Sequence, residues 1–342
     1  MKKSLFVITV LGAFAGAASA QSSSVTVFGV IDVGLRYNKN DAQSLWTQET
    51  SGLKSSRLGV RGVESLGNGL SAQFHLEGGL SADAGTADAT KFWGRRSTLG
   101  LVSTSLGEVR LGRDLTPIWL GFADYDTFNT NGVADAGKFD SALGSGAVTA
   151  TRSDNMVTYL TPSTLGGAFV RVSIAPGEGA GGTKFFGGQA GYIAGPVDVS
   201  VSYGETNDTA NVNKWKKTSV GLTYNFGPVI LMGYLTENAY IDQKLDVGQI
   251  GVKVPVGKHT FRANYTKANA KGRTAAGASI DADDANQMAV GYIYDFSPRT
   301  ALYSTYARVK NHGNAKYLVQ STPATPAGKT STGFEVGVRH AF

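Results

Sequence analysis

The sequence predicts an all-β fold: a transmembrane, antiparallel up-and-down barrel of about sixteen strands. Three observations carry this. Segment after segment alternates between apolar and polar residues, with exceptions such as Phe28 and Val30, tight turns alternate with long polar connections, and no apolar run downstream of the first twenty residues is long enough for a helix to cross a bilayer, which takes about 18 residues. Composition agrees, since 45 Gly, 14 Tyr, 16 Phe and only 9 Pro suit many short strands joined by turns.

In the first strand Val25, Val27, Gly29, Ile31, Val33, Leu35 and Tyr37 share one parity, while Thr26, Asp32, Gly34 and Arg36 share the other. Side chains alternate across a strand, so one face suits lipid and the other water. The pattern recurs with Leu70, Ala72, Phe74 and Leu76, with Val197, Val199, Val201 and Tyr203, and with Val220, Leu222, Tyr224 and Phe226. It continues through Ile250 to Val256 and through Phe261, Ala263 and Tyr265, but blurs at 140–195 and 229–245. Short turns fall near Leu66–Gly69, Ser105–Gly107, Pro162–Gly167, Ala194–Pro196, Gly227–Pro228, Pro255–Lys258 and Ser297–Thr300. Tyr37, Tyr203, Tyr224, Phe226, Tyr292, Tyr294, Phe296 and Tyr303 lie near strand ends and are expected to form interfacial girdles.

Lys2 and Lys3 precede an apolar run from Leu5 to Ala15 and the small-residue pattern Ala18-Ser19-Ala20. This is the form of a removable export signal, leaving residues 21–342 as a single barrel domain. The chain has no cysteine, so no disulfide contributes to its stability. The formal charge of +6, two units of it from Lys2 and Lys3, shows no concentrated basic patch of the kind nucleic-acid binding needs. Catalysis finds no support: His75, His259, His312 and His340 are scattered, and neither a nucleophile elbow nor a phosphate-cradling loop is present. No metal or cofactor is expected, and Asp281, Asp283 and Asp284 read as solvated loop charge.

These residues resemble the general, non-specific porins of Gram-negative bacteria, in particular the β-proteobacterial type. The likeness rests on the opening from Ser24 to Asp32, on Ser56-Arg57-Leu58-Gly59-Val60-Arg61-Gly62 and on Leu106-Gly107-Glu108-Val109-Arg110-Leu111-Gly112-Arg113. Arg152-Ser153-Asp154-Asn155 with Tyr159, and the end Gly337-Val338-Arg339-His340-Ala341-Phe342, complete it. The resemblance implies a bacterial outer-membrane channel for passive diffusion of small hydrophilic solutes and ions. It also implies contact with outer-membrane lipid and lipopolysaccharide, a homotrimer, and a terminal Phe342 read by the barrel-assembly machinery.

By the same resemblance, the long third outer loop, from Asp114 to about Thr151, folds into the lumen. It would carry Asp124 and Asp126 as the acidic side of a constriction, opposite basic residues Arg36, Arg57, Arg61, Arg95 and Arg152, with Arg110 a further candidate. Phe128 stands where related loops often carry a glutamate, which favours a weak anion preference. Arg113 has non-lumen parity and is expected to meet Asp83 or Asp88 of a neighbouring subunit. One rival is a substrate-specific channel for an acidic nutrient, built on Arg171, Lys253, Arg262, Arg308 and Lys310 at lumen-facing parity. A barrel enzyme or an adhesin is a more distant one.

Overall fold

In hydrocarbon every backbone N–H and C=O needs a partner within the protein, so a membrane-crossing sheet is stable only when closed. The computed structural model describes residues 23–88, 90–319 and 323–342; the expected export segment, residues 1–20, lies outside them. The strands are β1 (Ser24–Asn40), β2 (Gln43–Thr50), β3 (Arg57–Gly67), β4 (Leu70–Ser81), β5 (Thr86–Ala87), β6 (Arg96–Ser103), β7 (Gly107–Leu115), β8 (Arg152–Leu160) and β9 (Ala168–Ala175). They continue as β10 (Phe185–Ala194), β11 (Val197–Asn207), β12 (Lys214–Asn225), β13 (Ile230–Tyr240), β14 (Gln243–Val256), β15 (His259–Gly272), β16 (Ala285–Asp295), β17 (Thr300–Asn311) and β18 (Thr330–Ala341). Neighbouring strands pair antiparallel, and β1 with β18 closes the ring.

These segments make sixteen staves, as the alternation predicts. β2 pairs with β1 from Val33 to Asn40 and β3 pairs with it from Ser24 to Val30, so the two stand end to end as one stave. β5 adds only a two-residue ladder to β4. The break between β2 and β3 turns inward, held by Asp32, which is 0% exposed. Its carboxylate accepts from the N–H groups of Gly52 (3.3 Å), Leu53 (2.9 Å) and Lys54 (2.7 Å) and from the Tyr303 hydroxyl (2.7 Å). Tyr303, expected in a girdle, therefore faces inward, because that hydroxyl has a buried carboxylate to reach.

Elsewhere the predicted sorting holds. Val27 is 62% exposed, Leu235 67% and Ile250 59%, whereas Gln249, Arg262 and Asn264 on the opposite parity are buried inside. An exposed apolar belt of this extent would be an aggregation liability in water and is stable against lipid. At the short-turn rim Tyr224 packs on Phe226 (4.4 Å between rings) and Tyr294 on Phe296 (5.0 Å); at the other rim Tyr37 packs on Trp46 (5.1 Å). The parity blurs along β13 because Met232 and Tyr234 point inward and are buried while Leu231 and Leu235 point outward, so both faces are apolar. Phe342 ends the last stave: Gly29 and Phe342 exchange backbone hydrogen bonds at 3.0 and 3.1 Å, and the phenyl ring lies where a side chain at Gly29 would collide with it.

Replacing Asp32 with Ala strands two buried N–H donors, the half-buried N–H of Lys54 and one hydroxyl, at about 1–3 kcal/mol for each buried group left unsatisfied. A clearly lower thermal unfolding midpoint in detergent is expected by circular dichroism; an unchanged midpoint would show that the inward break is held by packing alone.

Candidate functional site

The longest connection, residues 116–151, enters the barrel instead of standing above it. Its base is closed by Thr116, whose N–H donates to the Thr151 carbonyl at 3.0 Å. A short helix α1 (Pro117–Ala123) follows, with proline at the first turn where a missing N–H costs nothing. Two 3-10 turns, Gly132–Ala134 and Ala136–Phe139, come next.

Apolar contacts and a few polar clamps fix this loop to the inner wall. Tyr125 lies against Gly221, where any Cβ would collide with its ring, and its hydroxyl donates to Asp198 at 2.7 Å. Phe128 packs over Gly291, Val133 over Gly333, and the Arg262 guanidinium lies 4.3 Å from the Phe128 ring centre. Gln249 is the central clamp: its Nε2 donates to Asp126 Oδ1 at 2.8 Å while its Oε1 accepts from the Thr127 N–H at 3.0 Å. Further along, Gln287 donates to the Ala134 carbonyl (2.9 Å) and accepts from Lys138 (2.6 Å), and Lys217 pairs with Asp140 (2.7 Å). Glu335 accepts from the Val133 N–H at 3.2 Å and from Arg36 at 2.7 Å.

The loop thus covers the inner wall from β10 round to β18 and β1 and touches β8 and β9 at Met156 and Ala175, leaving β3 to β7 and the rest of β8 and β9 open to the lumen. That open wall is strongly basic. Arg57 and Arg95 share Glu77 (3.8 and 2.6 Å), Arg96 and Arg110 share Asp114 (3.4 and 2.8 Å), and Arg110 also binds Glu108 (2.6 Å). Arg152 donates to the Arg95 carbonyl at 2.8 Å and Arg171 to the Gln189 side chain at 3.3 Å, neither to a carboxylate. Arg61, exposed and opposite Thr26 and His75 in register, lies over the Phe28 ring at 5.4 Å and has no ion-pair partner among the described residues. A polar cavity of about 580 Å³ lies beside Arg61, His75, Arg96 and Arg110. Across the lumen, Asp124 ends α1 and feels Arg171 electrostatically. Its carboxylate reaches lumen water but is ringed by protein, and this partial burial pushes its pKa up to about 6 against the pull of Arg171.

A closed barrel with an inserted loop facing a row of arginines is the geometry of a diffusion pore, and comparison with known proteins agrees. Residues 7–314 match the family model described as Gram-negative porin. The chain belongs to the Gram-negative porin family. It is 36% identical over 368 residues to outer membrane porin protein 32 of Delftia acidovorans, covering 100% of both chains, and 27% identical over 372 residues to major outer membrane protein P.IB of Neisseria meningitidis serogroup B, again covering both in full. Among solved structures, the anion-selective porin from Comamonas acidovorans superposes with a TM-score of 0.84 at 33% identity, covering 94% of this chain and 100% of that one. The protein is an outer-membrane porin, a water-filled channel for passive diffusion.

Within the porin, the expected basic residues divide. Arg57, Arg61, Arg95 and Arg152 lie on or beside the open wall, but Arg36 is 4% exposed beneath the loop, where it serves Glu335. Asp126 is 0% exposed and is a loop clamp, not a pore acid, because Thr130 N–H (2.6 Å) and Gln249 saturate it. Arg308 and Lys310 face outward: the residues beside them, Ala307 and Val309, are the inward ones and pack beneath the loop. Arg262 is likewise covered, so no open file of basic side chains runs along β15 to β17. Within the chain, Arg113 binds the Gly94 carbonyl (2.7 Å) and Asp154 (2.8 Å) and lies near enough to Asp88 to act on it electrostatically. Asp88 is engaged with the Thr90 backbone and hydroxyl.

Arg96 escaped sequence reasoning because two adjacent residues of one strand cannot both face inward. Arg95, however, precedes β6 in a bend, and both reach the lumen. Gln249 and Gln287 carried no signal beyond polar parity.

Replacing Gln249 with Ala removes three hydrogen bonds from the loop, counting the Thr127 hydroxyl at 3.2 Å, a loss of roughly 2–4 kcal/mol. Single-channel recordings are expected to show more open-channel noise and closure at lower voltage. Unchanged noise would mean that the aromatic contacts alone hold the loop.

Proposed function

We propose that this porin is weakly anion-preferring and that the open arginine wall sets the preference. The observation that carries this is the imbalance of that wall: seven guanidinium groups (Arg57, Arg61, Arg95, Arg96, Arg110, Arg152, Arg171) stand against three carboxylates, Glu77, Glu108 and Asp114. A row of fixed positive charge raises anion occupancy without closing a hydrated pore. The Debye length of roughly 8 Å at about 0.15 M salt keeps the effect modest. The similar porin from Comamonas acidovorans is anion-selective, which supports the same reading.

The rest of the reading follows from the family. Residues 1–20 direct export and are removed, three copies assemble, and Phe342 is the signal by which assembly machinery takes up the last stave. Arg113 and its partner Asp154, with Lys91 also on Asp154, lie at the outer edge beside the second outer loop and would border a subunit contact. The rival of a specific channel for an acidic nutrient keeps one supporting feature, the polar cavity beside Arg61, but has lost its basic file along β15 to β17.

Neutralising Arg61, Arg95 and Arg152 together with Gln should cut the anion-to-cation permeability ratio several-fold, since one charge at 4 Å in water is worth about 1 kcal/mol, roughly fivefold in occupancy. Reversal potentials in a salt gradient read this directly, and the difference from the unaltered porin should shrink in concentrated salt. Unchanged ion preference would defeat the assignment of the wall.

Asp124 gives the pore a pH response. Above about pH 6 its carboxylate is charged and opposes anions; below, it is neutral, so anion preference should rise between about pH 7.5 and about pH 5. Asp124→Asn should hold the preference at its acidic value throughout; a pH step that persists in this variant would assign the response to another group.

A further inference from the structure

The second stave leaves the barrel wall partway along its length. β2 ends at Thr50 and β3 begins at Arg57, and the residues between them form a small inward bow. Ser51, with φ at 70°, turns the chain out of the wall, and its hydroxyl oxygen accepts from the Ser56 N–H at 2.9 Å, which closes the bow at its base. Leu53 is buried with Ala301 and Tyr303, and the Asp32 carboxylate takes the N–H groups of Gly52, Leu53 and Lys54. A segment whose polar groups are satisfied by the wall behind it is held rigidly.

The bow also meets the constriction loop. The Ser55 hydroxyl donates to Asn131 Oδ1 at 3.0 Å, and Gly132 lies so close that a Cβ there would come within 2.4 Å of the Gly52 carbonyl oxygen. The bow therefore stands at the seam between the half of the lumen that the loop seals and the half that stays open. Of its six residues Lys54 alone is exposed. Arg57, Arg95 and Arg339 repel its ammonium group and Glu77 attracts it, which places it in the lumen among them. Glu77 is already shared by Arg57 and Arg95, and among the described residues Lys54 has no ion-pair partner. An arginine held on a carboxylate shows the pore little net charge, whereas an unpaired lysine shows a whole one.

We propose that this bow is a second arm of the constriction and that Lys54, at its tip, is a specificity-determining residue for permeant ions. The inference rests on reading the chain as an anion-preferring pore, and it assigns part of that preference to a side chain outside both the arginine wall and the constriction loop. Strand parity could not place this residue, since it lies between two strands.

The chain has no cysteine, so Lys54→Cys carries a single thiol. In planar bilayers the open Lys54→Cys channel should change its current in steps when charged methanethiosulfonates are added. The trimethylammonium reagent should restore anion preference, and the sulfonate reagent should lower it further. Lys54→Gln should lower the anion-to-cation permeability ratio about two- to fivefold, the upper figure being roughly what one charge at about 4 Å in water is worth. Lys54→Arg should hold the ratio, and so should Lys39→Gln, which removes the same charge from the outward face of β1. Channel formation itself reports folding of each variant. An unaltered current after thiol modification, the same reversal potential with either reagent, or an unchanged ratio in Lys54→Gln would overturn the assignment. The wall reading fails separately: if neutralising Arg61, Arg95 and Arg152 left ion preference unchanged while Lys54→Gln lowered it, the wall would be excluded and Lys54 would stand as the selecting group.

Discussion

Closure of the sheet is the constraint on which the rest of this porin depends. The pairing of β1 with β18 removes the last unpaired backbone edge, and no open sheet survives in hydrocarbon. Once the ring is closed, outward residues must be apolar and inward residues are free to be polar. The inner wall can then hold charge, and the pore becomes possible.

What narrows the pore is not the wall itself but a loop that behaves as a small internal core. Phe122, Tyr125, Phe128, Val133 and Phe139 are buried against inward alanines, valines and glycines of β12 to β18. This arrangement divides the lumen: one half of the wall is sealed beneath the loop by apolar contacts and a few polar clamps, and the other half keeps its arginines open to water. Asp124, at the loop's edge, feels the Arg171 guanidinium of that open half.

The same division explains where sequence parity misled. Arg36 has the right residue type and parity for a pore, and Asp126 the right type on the inserted loop, but Arg36 lies beneath that loop paired with Glu335, and Asp126 turns into the wall to accept from Gln249. Arg308 and Lys310 were assigned to the lumen because polar residues are expected to face inward. Along this end of β17 the inward residues, Ala307 and Val309, pack beneath the inserted loop and are apolar, so the rule inverts there. Tyr303 left the girdle for a comparable reason, the pull of a buried carboxylate 271 positions away.

By itself the sequence determined the strand number, the two-faced wall, the positions of the turns and the membrane as solvent. Each of these follows from a period of two residues and from turn chemistry, which are local. Only the tertiary structure decided which charges see the pore, because exposure there depends on the path of one loop across distant staves. That path is set by contacts such as Tyr125 on Gly221 and Val133 on Gly333, between residues about a hundred and two hundred positions apart, which no local pattern encodes.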